Sequence, residues 1–196
     1  MRNILVITLC AIAGLTAQAE VISLTLGIDV NSPYGISEPW VTIREGLLRL
    51  DYVESVANLP DRKSGTGEMR TKNGRVPDVD TLAKALRELG AGATLRGVEV
   101  TINGHIIKEG DHFLLKVSKT GETLRLAPLT KRIQRNALEI TESERNAFAR
   151  LVSHSEGGEV RITGPLRAHP DAGALQTLEV RIFELPGRSQ NQTNHN

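Results

Sequence analysis

The stretch that decides the fold is Ala93-Thr94-Leu95-Arg96-Gly97-Val98-Glu99-Val100-Thr101-Ile102-Asn103. Val98, Val100 and Ile102 alternate with Glu99, Thr101 and Asn103, the period of two expected of a strand with one face buried and one in water. Upstream of Arg96, helical and strand patterns are interleaved, and Ala93 to Leu95 supply a closing strand. Downstream, strand follows strand. The change of character therefore divides the chain into residues 20–95 and 96–186.

Working upstream, Ile22, Leu24 and Leu26 alternate with Ser23 and Thr25 and predict a half-buried strand. Gly27 to Gly35 reads as a loop. Ser37-Glu38-Pro39 then offers a polar cap and a first-turn proline ahead of Ile43, Leu47 and Leu50 at helical spacing. Tyr52, Val53 and Val56 predict a second strand, and Asp61 to Gly67 a loop. Met69 to Val76 reads as a third strand interrupted at Asn73-Gly74. Asp80 is placed to cap a helix whose face carries Leu82, Ala85, Leu86 and Leu89, with Gly90 as its stop. The order is β-α-β-β-α-β.

Working downstream, Phe113, Leu115 and Val117 form a second strand, and the turn Lys119-Thr120-Gly121 leads into Leu124 and Leu126. Thr141-Glu142-Ser143-Glu144 spells a capping box for a helix with Ala147, Phe148, Leu151 and Val152 on its apolar face. Val160, Ile162 and Leu166, then Leu178, Val180 and Ile182, predict two further strands. Three strands, a helix and two strands is the element order of the five-stranded OB-fold barrel, although a generic α+β domain can share that count. Lys131-Arg132 and Arg135 read as a solvated connector. The expected fold class is α+β, a ferredoxin-like βαββαβ sandwich followed by an OB-like barrel with one helix.

Both ends read differently. Arg2, the apolar run Ile4 to Leu15 and Ala17-Gln18-Ala19 have the three parts of a secretory signal, so residues 1–19 are expected to be removed. That implies an exported protein, periplasmic or extracellular, beginning at Glu20. Residues 187–196 carry no apolar side chain and are expected to form a disordered tail. The apolar run is too short for a permanent span of about 20 residues, and no stable membrane insertion is expected. The only cysteine, Cys10, would leave with the signal, which excludes thiolate chemistry and disulfides from the mature chain. With 24 basic and 23 acidic residues, charge makes no general case for nucleic acid.

Ile43-Arg44-Glu45-Gly46-Leu47-Leu48, Tyr52-Val53-Glu54-Ser55-Val56 and Leu82-Ala83-Lys84-Ala85-Leu86-Arg87-Glu88-Leu89-Gly90 resemble the first helix, second strand and second helix of heavy-metal-associated domains. The resemblance covers Val21 to about Leu95 and implies a ferredoxin-like fold. In that family a Cys-x-x-Cys pair on the loop into the first helix binds the metal. Gly27 to Trp40 contains no Cys, His or Met, so a soft ion such as Cu(I) would find no thiolate or thioether there.

Of five histidines, His105, His112 and His169 fall where the expected barrel brings two loops to one face, and they are the candidate ligand-binding residues. Converging imidazoles there could hold Zn(II) or Cu(II), and three loop histidines that never meet are the alternative. His154 lies beside Ser153 and Ser155 in sequence only, and His195 is in the tail. Phe113, Phe148 and Phe183 sit at core periodicity rather than as stacking platforms for nucleic acid. No nucleophile elbow, His-Glu-x-x-His pair or phosphate loop is present. The expectation is an exported, non-enzymatic binding or interaction module without cofactor or metal, taking an unidentified protein or small molecule. A periplasmic metal-handling protein using the barrel histidines and an enzyme with an unrecognised site are the alternatives.

Overall fold

The alternation read at Val98–Ile102 continues in both directions. Strand β4 runs Ala93–Glu109, 17 residues without a break, through the expected division at Arg96. The computed structural model describes residues 21–133, 139–154, 158–168 and 174–185. The expected signal at 1–19, the tail at 187–196, His169 and Arg135 lie outside them.

The chain is α+β, and its described residues form one large mixed sheet of nine strands and four helices. The elements before β4 are β1 (Val21–Val30), α1 (Trp40–Leu48), β2 (Val53–Val56), β3 (Thr66–Thr71) and α2 (Val79–Glu88). After it come β5 (His112–Val117), β6 (Thr123–Pro128), α3 (Glu142–Arg145), α4 (Ala147–His154), β7 (Glu159–Arg167), β8 (Thr177–Val180) and β9 (Ile182–Glu184). Strands β2, β3, β1 and β4 lie side by side, all antiparallel. From β4 the pairings run to β5, β6, β8 and β7, and β7 pairs back onto β4. Within that circuit only β6 and β8 are parallel.

Several local readings shift by a residue or two, each for a physical reason. Asp78, not Asp80, caps α2, because its carboxylate accepts the Thr81 amide at 2.6 Å while Asp80 sits inside the first turn. Ser37 does not cap α1: it belongs to a 3-10 turn, and the helix starts at Trp40 after Pro39. The third strand ends at Thr71, where Asn73 and Gly74 both take positive φ. The capping box at Thr141 and Glu144 is present, but the helix it opens is broken at Asn146 into α3 and α4. The last expected strand is split at Arg181, so Ile182 belongs to β9 and pairs with β7.

Apolar residues fill one side of the sheet. Leu24, Leu26, Met69, Val98, Val100 and Ile102 join Trp40, Ile43, Leu47, Leu82 and Leu86 of the first two helices in the buried core. Gly67 allows this: a Cβ there would stand 2.0 Å from the Trp40 ring. Phe113 and Phe148 meet edge to face, their centroids 6.1 Å apart, and with Phe183 pack against the same core as expected. Among the described residues no helix is long and apolar enough to cross a membrane.

Arg96 fixes the junction. Gly27 pairs with Gly97 and Ile28 with Leu95, so Arg96 is the extra residue of a β-bulge that turns its side chain off the ladder. Its guanidinium meets Asp29 at 2.6 Å and donates to the carbonyls of Ser64 at 2.9 Å, Gly65 at 3.1 Å and Ile133. Replacing Arg96 by Met should cost about 2–4 kcal/mol, because several carbonyls lose a charged donor at once. Arg96→Lys should recover less than half, since an ammonium lacks the planar fork. Urea denaturation of the two variants and the parent checks both.

Candidate functional site

Of the expected ligand-binding residues, His105 and His112 lie among the described residues and His169 outside them. His105 stands within β4, opposite Lys116 of β5 and Glu159 of β7, rather than at the hairpin loop. That loop is only Gly110-Asp111, and His112 follows it, opposite Glu109. His105 and Glu109 are four residue steps apart on β4, which places the backbones of the two histidines roughly 13 Å apart along the hairpin. Side chains on a strand stand roughly perpendicular to the sheet, so two imidazoles that far apart along the hairpin do not converge in this register. The Nδ1 of His112 is 3.2 Å from Nη2 of Arg125, a permanent cation. In a zinc titration followed by histidine NMR signals, His105→Ala should leave the His112 response unchanged, and the reverse. Loss of both responses on removing either would show a shared ion.

A second sequence expectation is corrected outright: Arg132 is not a solvated connector residue. Thr130–Ile133 crosses the polar side of the sheet, held at each residue by a different side chain. The Thr130 amide and hydroxyl donate to Glu179 at 3.1 and 2.7 Å, and Arg167 reaches the Lys131 carbonyl at 3.4 Å. Arg132 pairs with Glu144, which also lies 3.8 Å from Arg181; Arg181 pairs with Glu99 at 2.6 Å. Ile133 is buried over Gly97, where a Cβ would come within 2.7 Å of its methyl. Burial pushes the Glu144 carboxyl up, but Arg132 and the amide and hydroxyl of Thr141 outweigh it and hold the pKa at about 2.

Because the folded-state value lies below the ordinary 4.5, this carboxylate contributes stability in full above that pH. The contribution is lost as pH falls through about 2. Tm should therefore decline from about pH 4.5 downwards, and less steeply in Glu144→Gln, which takes up no proton there. Equal slopes in the two proteins would show that Glu144 is not the responsible group.

Beside this strap the same polar side is open. Glu99 is opposite Thr25, Thr101 opposite Ser23, and the Ser23 hydroxyl donates to Thr101 at 3.0 Å. Across β1, Thr25 is opposite Glu68, and across β3, Arg70 is opposite Ser55. Ser23, Thr25, Ser55, Glu68 and Arg70 line a depression of about 450 Å³ over β1, β3 and the end of β2, bounded by Asn58 and by Arg44 of α1. Arg44 donates through Nε to the Val56 carbonyl at 3.4 Å. Neither Arg44, Arg70 nor Glu68 is paired with an opposite charge among the described residues. Elsewhere on this side Glu99 is matched by Arg181, and Arg161 by Glu184 and Asn103. Glu68, Arg70 and Ser55 carry no signal in the sequence, since no local pattern says that β2 and β3 will adjoin there.

No protein-family model and no curated protein matches this chain.

Proposed function

We propose that the chain is an exported, non-enzymatic binding module that takes its ligand on the polar side of β1, β2 and β3. The observation that carries this reading is the depression itself, where Arg44, Arg70 and Glu68 stay unpaired around a volume in the range of small-ligand sites. We further propose that it is built from a ferredoxin-like half, akin to heavy-metal-associated domains without their cysteines, and an OB-like barrel half. The antiparallel order β2-β3-β1-β4 supports the first assignment. The pairing circuit through β5, β6, β8 and β7, with its one parallel pair, supports the second. Export rests on Arg2, the apolar run and Ala17-Gln18-Ala19.

A backbone NMR titration against a panel of amino acids, short peptides, sugars, nucleotides and simple anions tests the binding reading. Saturable shifts at the amides of Ser23, Thr25, Ser55, Glu68 and Arg70 are expected from at least one class. Shifts confined to the hairpin of β4 and β5, or none with any probe, would overturn it.

A further inference from the structure

Resting on that reading, we propose that the depression binds a small zwitterion, an amino acid or short peptide with free carboxylate and ammonium groups. The charges there are of both signs and are not matched to each other. Glu68 and Arg70 are two residues apart on one strand and project to the same side, yet form no ion pair. Arg70 stands opposite Ser55, and Glu68 opposite Thr25, so each charge has a hydroxyl neighbour across the ladder. Arg44 brings a second guanidinium, of which only Nε is engaged, to the Val56 carbonyl.

Guanidinium groups offer parallel N–H donors that match a carboxylate in two places. A simple anion approaching Arg44 and Arg70 would also meet the Glu68 carboxylate and be repelled. A ligand carrying an ammonium converts that repulsion into a second contact. The same logic disfavours a simple cation, which meets two guanidiniums. Both signs on one small molecule satisfy all three side chains.

Triglycine, N-acetyl-triglycine, triglycine amide, glycine, acetate and inorganic phosphate, titrated into the protein under NMR observation, form the test. Triglycine should bind with a dissociation constant on the order of 1 mM, set by a few exposed charge contacts. Blocking either end should weaken it about fivefold, the upper range for an exposed ion pair. Arg70→Gln should weaken triglycine by a similar factor while leaving triglycine amide nearly unchanged. Glu68→Gln should do the same with N-acetyl-triglycine as the indifferent probe. Both substitutions are on the surface, and an unaltered Tm confirms that each variant is folded. Glycine binding as tightly as triglycine would assign the site to free amino acids, and weaker binding to peptides. Acetate or phosphate binding as tightly as triglycine, or blocked peptides binding equally well, would overturn the proposal. If triglycine fails while another probe moves the same amides, the zwitterion assignment falls and the binding-module reading stands; if no probe moves them, both fall.

Discussion

One guanidinium sits where the two halves of the sheet become one. Arg96 is extruded from β4 by a bulge, and from there it ties β4 to Asp29 of β1, to the Ser64-Gly65 loop ahead of β3 and to Ile133 of the strap. The bulge is needed because a regular strand would continue the alternation and shift every following side chain to the other face. Instead, Val98, Val100 and Ile102 stay in the core, while the one residue that breaks the pattern becomes the connector. Gly27, Gly65 and Gly97 surround it, and side chains at Gly27 or Gly97 would collide with the strap or with Arg96 itself.

The strap follows from the same arrangement. A sheet with a filled core on one side still has a second side, and part of it here is covered by chain rather than by water. Covering it buries charge, which is costly unless each ion is paired and hydrogen-bonded. The solution is an alternating row, Glu99, Arg181, Glu144 and Arg132, with no net charge. The split between β8 and β9 falls at the same residue: Arg181 is paired with Glu99 and lies near Glu144, and the chain resumes at Ile182 farther along β7, the neighbour that β8 also pairs with.

Where local periodicity decides structure, the fold was legible from residues alone. The alternation in β4, the Leu82–Leu86 face of α2 and the capping box at Thr141 each express an interaction between near neighbours in sequence. The misses are of another kind. Arg132 looked solvated because its partner, Glu144, belongs to a different element, and the break at Arg181 depends on Glu99 more than 80 residues away. The composition shift at Arg96 coincides with the bulge of β4, and the strand runs on through it to its later partners. For the histidines, residue type alone carries no distance; the register of β4 and β5 sets His105 four strand steps from Glu109, the partner of His112.

The depression lies on the same side of the sheet as the strap residues Thr130–Ile133, farther along β1 and β3. Over β4 the strap presents Ile133 to Gly97, and towards β1 it brings the Ile133 carbonyl 3.0 Å from where a Gly27 Cβ would stand. Farther along the same strands the positions become Thr25 and Ser23, then Glu68 and Arg70 on β3, side chains that stand up from the sheet. At the outer edge Arg44 covers the Val56 carbonyl of β2, one of the acceptors that an unpaired edge strand would otherwise offer to another chain. Arg44 thus serves two ends: its Nε blunts the edge, and the same side chain lines the depression. A ligand seated there would meet side chains from the polar face rather than add a strand to the sheet, which is why its recognition should depend on charge and not on backbone pairing.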